Sequence, residues 1–452
     1  MGEPFGEALA RFRKQHPDIG VAEVYVTDLN GIARGKLVPM DMLEKLGEGG
    51  MKMPISTLVL DIFGSDVPET GLALERGDPD GVLMAVPESL APMLWADRPT
   101  AQIQCMMSDE TGEGPSVYDP RAILARVVER AARRGFTAVM ALELEFYLVD
   151  REAAMPPVNP LAGGRLSGVQ LYDMEVMRAF EPVLADITDA ARALGAPAET
   201  AICEFGAGQF EINLRHVPDP LEACDHMVAL KRAIRGVARR HGLDASFMPK
   251  PFGEMAGSGQ HIHASLLDET GRNIFDAGET EGPNAATRHA VAGVVGSMAD
   301  CFLVFSPHHN GYRRFLPGSY APVAAAWGLD NRGTAVRVPE RRGKAARIEH
   351  RVAGADANAY LLGAAVLSGI LAGLAKGREP DAPVMGEAGE VDGEALPLSW
   401  AMAEQCFGES AFVTEWLGPE FQQVYCAMKR QERATLLARV PDVEYDAYLR
   451  RV

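Results

Sequence analysis

Four short stretches place charged or imidazole side chains at every second position. They are Glu143-Leu144-Glu145, the pair Glu204 and Glu211 at the ends of a Gly-bearing octapeptide, His261-Ile262-His263-Ala264-Ser265, and Arg347-Ile348-Glu349-His350-Arg351. On a β-strand alternate side chains share a face, so Glu143 and Glu145 are expected to point the same way, roughly 6–7 Å apart. Leu142, Leu144 and Phe146 then turn to the other, apolar face. A sheet with one face packed and the other lined by carboxylates, imidazoles and guanidiniums is costly unless a charged ligand lies against it. This pattern predicts a polar-faced sheet built around a ligand.

The chain of 452 residues is long enough for two or more domains and a large core. A net charge of −18 argues against nucleic acid or an anionic membrane as main partner. Positive charge is concentrated instead between Arg313 and Arg351. Cys105, Cys203, Cys224, Cys301, Cys406 and Cys426 are scattered without a close pair, which points to reduced thiols, not a disulfide frame or a zinc cluster. The sequence shows no signal pattern and no uninterrupted apolar run long enough to span a bilayer, so a cytoplasmic location is expected.

Residues 5–16 read as a short helix, and Val21–Thr27 and Ile32–Val38 as a hairpin about Asp28-Leu29-Asn30-Gly31. Strands near 81–86 and 101–107 complete a small mixed domain, residues 1–110, with a breaker-rich boundary at Asp109–Pro115. The second domain, 111–452, opens on a helix capped by Asp119, running to about Arg134. Helical periodicity follows at 173–194, 219–241, 284–305 and 356–376, then a loop at 378–396 and a helical tail ending near Arg433.

Glu143, Glu145, Glu204, Glu211 and Glu349 cannot crowd one sheet face as bare anions. Divalent cations resolve the conflict, and oxygen-rich ligands with the single imidazole of His261 favour Mg²⁺ or Mn²⁺ over zinc. These six groups suffice for two ions. Gly206 and Gly208 are expected to supply unusual backbone angles, and Gly257-Ser258-Gly259 a close backbone approach to a ligand. His263 and Ser265 share the face of His261 and suit phosphate oxygens. Arg337, Arg347 and Arg351, in strand-like alternation, suit phosphate or carboxylate through paired hydrogen bonds. No GxxxxGK[ST] loop or Rossmann fingerprint is present, so a nucleotide is held another way.

Over nearly the whole chain these residues resemble the glutamine synthetase superfamily. The ordered elements are Asp28-Leu-Asn-Gly31 with Arg34-Gly35-Lys36, Glu143-Leu-Glu145, Glu204 to Glu211, Gly257-Ser-Gly-Gln-His261-Ile-His263, Arg314-Phe-Leu-Pro317-Gly318, Asn331-Arg332, Arg337-Val-Pro339 and Arg347-Ile-Glu349-His-Arg351. The resemblance implies an α+β chain: a small N-terminal β-grasp domain, then a large catalytic (guanido kinase-like) domain with an antiparallel polar-faced sheet flanked by helices. It implies ATP as co-substrate and two metal ions, with Glu145, Glu204 and Glu211 on the first and Glu143, His261 and Glu349 on the second. Glu199, His263, Ser265, Arg332, Arg337, Lys344 and Arg347 match ATP-holding positions. Glu145, Gly257, Arg314 and Arg351 match glutamate-holding positions, and Arg332, Arg314 and Glu349 match catalytic ones. Assembly as two stacked rings of six, with sites shared between subunits, is a further implication.

Departures from the family pattern concern the amine. Ammonia-using members carry an acid just after Arg-x-x-Pro-Gly; here Tyr320 stands there. A second acid of the small domain is missing from Met53-Pro54-Ile55-Ser56-Thr57. Ala256 replaces the Asn that usually precedes Gly-Ser-Gly, which weakens one expected backbone support. The expected acceptor is a primary amine larger than ammonia (a polyamine, ethanolamine or an alkyl monoamine), in a pocket made apolar by Tyr320 and Ile55. Asp61, Asp66 and Glu69 are candidates to meet a distal ammonium. True glutamine synthetase activity and a catalytically inactive, regulatory or structural role are the alternatives.

Overall fold

The structure, a computed structural model, describes residues 3–73, 75–316, 319–386 and 394–452. After helix α1 (Phe5–Gln15), the strands β1 (Val21–Thr27), β2 (Ala33–Pro39), β3 (Lys52–Pro54), β4 (Asp80–Ala85), β5 (Ala91–Pro92) and β6 (Thr100–Met107) form one sheet. Its order is β2-β1-β6-β4-β3, with β5 beside β6; β1 and β6 are parallel and the other pairs antiparallel. A short helix α2 (Glu44–Gly47) lies between β2 and β3. The β1–β2 turn is fixed by Asp28, whose carboxylate accepts the N–H groups of Asn30 and Ile32 and an Arg34 hydrogen bond.

Asp119 caps α3 (Pro120–Ala132) through the N–H of Ala122, as its sequence position predicts. A second sheet follows, with order β13-β14-β15-β11-β7-β9-β8. Its strands are β7 (Thr137–Asp150), β8 (Ala198–Cys203), β9 (Gln209–Leu214), β10 (Leu243–Ser246, also on β7), β11 (Gln260–Leu267), β13 (Trp327–Leu329), β14 (Val336–Glu340) and β15 (Arg347–His350). Only β13 and β14 run parallel. Leu142, Leu144 and Phe146 are fully buried, and α3 and α5 (Pro220–Arg240) pack on β7 while α4 (Met174–Ala193) packs on β8. Thus the helices cover one face of the sheet and leave the charged face to the ligand side.

The periodic segment 284–305 is two helices, α6 (Ala285–Gly296) and α7 (Phe302–Phe305), not one. Gly296 and Ser297 end α6, and the Ser297 hydroxyl turns back to the Gly293 carbonyl at 2.9 Å. Helix α8 (Ala359–Lys376) is, by length and composition, apolar enough to cross a membrane, contrary to the sequence expectation. It is 83% buried and packs against α3, α5 and α6, so its apolarity serves the core.

The segment read as a loop at 378–396 contributes β16 (Glu394–Ala395), paired with β12 (Ala324–Ala325); residues 387–393 lie outside the described residues. The tail comprises α9 (Trp400–Glu409), α10 (Ala411–Trp416), α11 (Pro419–Leu437) and α12 (Asp442–Tyr448), one helix beyond the expected end. Helix α11 packs against the N-terminal segment. Lys429 and Glu432, both fully buried, pair at 2.9 Å and meet Asn30 of the β1–β2 turn at 2.5 and 2.9 Å. Glu432 also accepts the Ile62 N–H at 2.8 Å.

Candidate active site

Strand register brings the acids together. On β7, Glu143 lies opposite His261 of β11, and Glu145 lies opposite Glu211 of β9. Glu349 of β15 lies between His263 on one side and Arg337 on the other. All these positions share one sheet face because each strand has the same two-residue period.

Two groups of donors converge. Ligand atoms of Glu143, His261 and Glu349 lie within 4.8 Å of one another, as do those of Glu145, Glu211 and His261. His261 therefore serves both groups: its Nδ1 lies 3.4 Å from Glu143 and 3.9 Å from Glu349, and its Nε2 lies 4.0 Å from Glu145. Glu204, just before the β8–β9 bend, is outside both close groups but feels the charge of Glu145.

Electrostatically the two halves differ. Burial alone would raise Glu143, but hydrogen bonds from His261 and His263 outweigh it and hold its carboxyl well below the usual range. Burial would likewise raise Glu349, yet Arg351, His263 and His261 hold it down to about 2. Arg337 donates to Glu349 at 2.8 Å and Arg351 pairs with its other oxygen. In the other half Arg332 and Arg351 pull Glu204 down and Arg351 pulls on Glu211, but they do not outweigh burial and the neighbouring acids. Burial, then the charge of Glu145, pushes Glu204 up to about 7. Burial and the charges of Glu143, Glu145 and Glu204 push Glu211 well above the carboxylate range. A cluster of buried acids that cannot all ionise is a site for divalent cations, and hard oxygen donors with one imidazole suit them.

The residues expected to hold ATP are organised by the imidazoles. Arg347 Nε donates to His263 Nδ1 at 3.2 Å, which leaves His263 Nε2 as the donor to Glu143 Oε1 at 2.9 Å. Ser265 is buried on the same strand. His216, which carried no sequence signal, packs its ring 5.7 Å from that of His263, and burial and His263 lower it to about 4. It is thus neutral at pH 7. Glu199, Arg332 and Lys344 are exposed; Glu199 pairs with Arg215 at 2.7 Å.

Arg314 is the most telling single group. It is buried, donates to the Val352 carbonyl at 3.0 Å, and its Nε has no partner among the described residues. Burial lowers its pKa, opposed by Glu145 and Asp356. A guanidinium so placed calls for a carboxylate. The Gly257–Gly259 loop lies directly on it: a Cβ at Gly257 would fall 2.7 Å from Arg314 Cγ and from the Pro249 carbonyl. Although Ala256 replaces the usual Asn, the loop is held from elsewhere. Tyr147 hydroxyl donates to the Ala256 carbonyl at 2.8 Å, and Gln209 to the Gly257 carbonyl at 2.9 Å. Gly206 has no positive φ, contrary to expectation; a Cβ there would collide with that Tyr147 hydroxyl. Only Gly208, at φ +81°, needs the left-handed region.

The residues expected to line an amine pocket are placed as follows. Ile55 is 5% exposed and belongs to the hydrophobic core cluster, so little of it is open to a ligand in this chain. Tyr320 is 74% exposed; Pro317 and Gly318 beside it lie outside the described residues. The Asp61 carboxylate is taken up by the N–H groups of Phe63 and Ser65 and by Gln431, and Glu69 pairs with Arg430. Asp66 alone of the three is exposed without such partners.

A family profile described as "Glutamine synthetase, catalytic domain" matches residues 117–448. The chain belongs to the glutamine synthetase family. It is 37% identical over 454 residues to gamma-glutamylputrescine synthetase PuuA of Escherichia coli (strain K12), covering 99% of this chain and 96% of the relative. It is 32% identical over 437 residues to glutamate–isopropylamine ligase of a Pseudomonas species, covering 92% of each. Among solved structures, a GmaS/ADP complex superimposes with a TM-score of 0.85 at 26% identity, over 98% of this chain and 99% of that one. The fold is therefore of the glutamine synthetase type and the chain is a ligase of the γ-glutamyl-amine kind. Family members use ATP and divalent metal, and the two donor groups provide for the latter.

Proposed function

We propose that this ligase joins L-glutamate to a primary amine larger than ammonia through γ-glutamyl phosphate, with Mg²⁺ or Mn²⁺ at two positions. Glu145, Glu204 and Glu211 hold one ion, and Glu143, His261 and Glu349 the other. Bound there, the ions neutralise phosphate charge and let the nucleotide approach the acidic sheet face. Arg314 and the Gly257–Gly259 loop orient glutamate, with Arg351 beside Glu349. Arg337, Arg347, His263 and Ser265 hold ATP phosphates, with Glu199 and Lys344 at the rim. A γ-carboxylate oxygen attacks the terminal phosphorus and ADP leaves; Arg332 steadies the transferring group. The amine nitrogen then attacks the acyl carbon, phosphate departs with that oxygen, and the nitrogen loses a proton.

The observation that carries this reading is Tyr320, exposed where ammonia-using relatives keep an acid. Each missing charge-assisted contact to ammonium is worth about 1.5–3 kcal/mol, roughly ten- to a hundredfold in transition-state binding. The relative at 37% identity is named for putrescine, so a diamine heads the acceptor series. We place the enzyme in the cytoplasm, as two stacked rings of six. ADP release is measured with glutamate, Mg²⁺ or Mn²⁺, and ammonium, ethanolamine, isopropylamine or putrescine in turn. The expected result is a kcat/KM for at least one amine more than tenfold above that for ammonium. Equal or better turnover of ammonium refutes the reading.

A further inference from the structure

A second cavity, of about 1220 Å³, lies between the small domain and α5, away from the acidic sheet face. It exceeds the roughly 300–1,000 Å³ typical of small-molecule sites. Its charge is what marks it. Arg232 is paired with Glu23, and Arg239 approaches Asp244 at 3.6 Å. Lys231 and Arg235 have no carboxylate partner within ion-pair distance among the described residues. Both lie against the Phe247 ring, with the ammonium 5.8 Å and the guanidinium 4.8 Å from its centre. Among the described residues Lys231 Nζ donates to the carbonyls of Ala355 and Ala357, at 2.7 and 3.1 Å. Burial, then Arg235, lowers it to about 7. Asp356 lines the same cavity and raises Lys231, but it is paired with His308. Two adjacent basic side chains with no carboxylate at ion-pair distance form a receptor for an anion, whose charge would favour the protonated form of Lys231.

The far wall connects to the reaction site through the backbone. Pro249 and Ala355 line the cavity, and the glutamate loop hangs between them: Ser258 N–H donates to the Pro249 carbonyl at 2.8 Å, and Ala355 N–H donates to the Ser258 carbonyl at 3.0 Å.

We propose that this cavity is a separate site for a small dianion, a dicarboxylate or phosphate held by Lys231 and Arg235, and that its occupancy alters glutamate binding through the Gly257–Gly259 loop. The binding half is independent of the proposed reaction; the coupling half rests on the assignment of glutamate to that loop.

The test uses the intact enzyme with its reaction site filled by ADP, Mg²⁺ and glutamate, and titrates succinate and inorganic phosphate separately by calorimetry. Saturable binding is expected, weakened about tenfold or more in Lys231→Met and in Arg235→Gln, since each removes one charge-assisted contact. Response to one probe alone identifies a carboxylate or a phosphate as the source. Should Lys231→Met fail to fold, Arg235→Gln, at an exposed helix position, carries the test. No binding by the wild type, or binding unchanged in the folded variants, overturns the site. The apparent KM for glutamate is expected to shift at least threefold with saturating probe in the wild type and to stay fixed in Arg235→Gln. Binding without that shift overturns the coupling and leaves the reaction, tested by the amine series, unaffected.

Discussion

Replacing Glu204 and Glu349 by glutamine perturbs the two halves of the acidic floor in opposite senses. Glu204 is raised from 4.5 to about 7 by burial and Glu145. At ~1.36 kcal/mol per tenfold, its ionisation weakens the metal-free fold by about 3 kcal/mol. A raised carboxyl stabilises below the unfolded pKa and loses that stability as pH rises through about 7, so the gain in Glu204→Gln appears at pH 8 and fades by pH 4.5. Glu349 is lowered from 4.5 to about 2, with Arg351 and Arg337 on its oxygens. Its contribution, also about 3 kcal/mol, is present above pH 4.5 and lost as pH falls through about 2. Glu349→Gln therefore destabilises the metal-free protein at pH 8 and strands two guanidiniums. Denaturant unfolding with chelator, at pH 8 and pH 5, gives both numbers, and adding Mn²⁺ shows whether each variant keeps the metal-induced stabilisation. Equal destabilisation by the two variants at pH 8 refutes the division of the site into compensated and uncompensated halves.

Gly206→Ala pushes the Tyr147 hydroxyl off the Ala256 carbonyl, and should cost about 1–3 kcal/mol in thermal stability and raise KM for glutamate more than it lowers kcat. Asp119, buried and raised to about 6 by burial, should make the wild type lose stability as pH rises from about 4 to 6; Asp119→Asn keeps the cap acceptor and should flatten that slope in unfolding curves. If Tyr320 stands at the amine entrance as proposed, Tyr320→Glu restores an acid there and should raise kcat/KM for ammonium about tenfold or more relative to isopropylamine, read from ADP release.

The charged sheet face was legible strand by strand because a two-residue period binds sequence position to direction: Glu143 with Glu145, and His261 with His263, needed no tertiary information to share a side. Their partners across strands did need it. That His261 sits between both carboxylate groups, and that Arg337 and Arg351 already neutralise Glu349, follows from the register of β7, β11, β14 and β15, which no local pattern prints. Asp119 and Asn30-Gly31 were readable as cap and turn because their chemistry is local. The break at Gly296–Ser297 was hidden by continuous apolar periodicity on both sides, and the β12–β16 pair joins segments about seventy residues apart. An apolar residue in a loop-like stretch, such as Ile55, reads equally as pocket lining and as core, and its burial is set by tertiary packing. Gly206 reads in the sequence as a turn glycine, whereas its constraint is the Tyr147 side chain arriving from another strand.

The most direct measurement is anomalous scattering from crystals grown with Mn²⁺ and ADP. Two peaks are expected, one among Glu143, His261 and Glu349, the other among Glu145, Glu204 and Glu211. A single peak, or none with the carboxylates turned apart, contradicts the account.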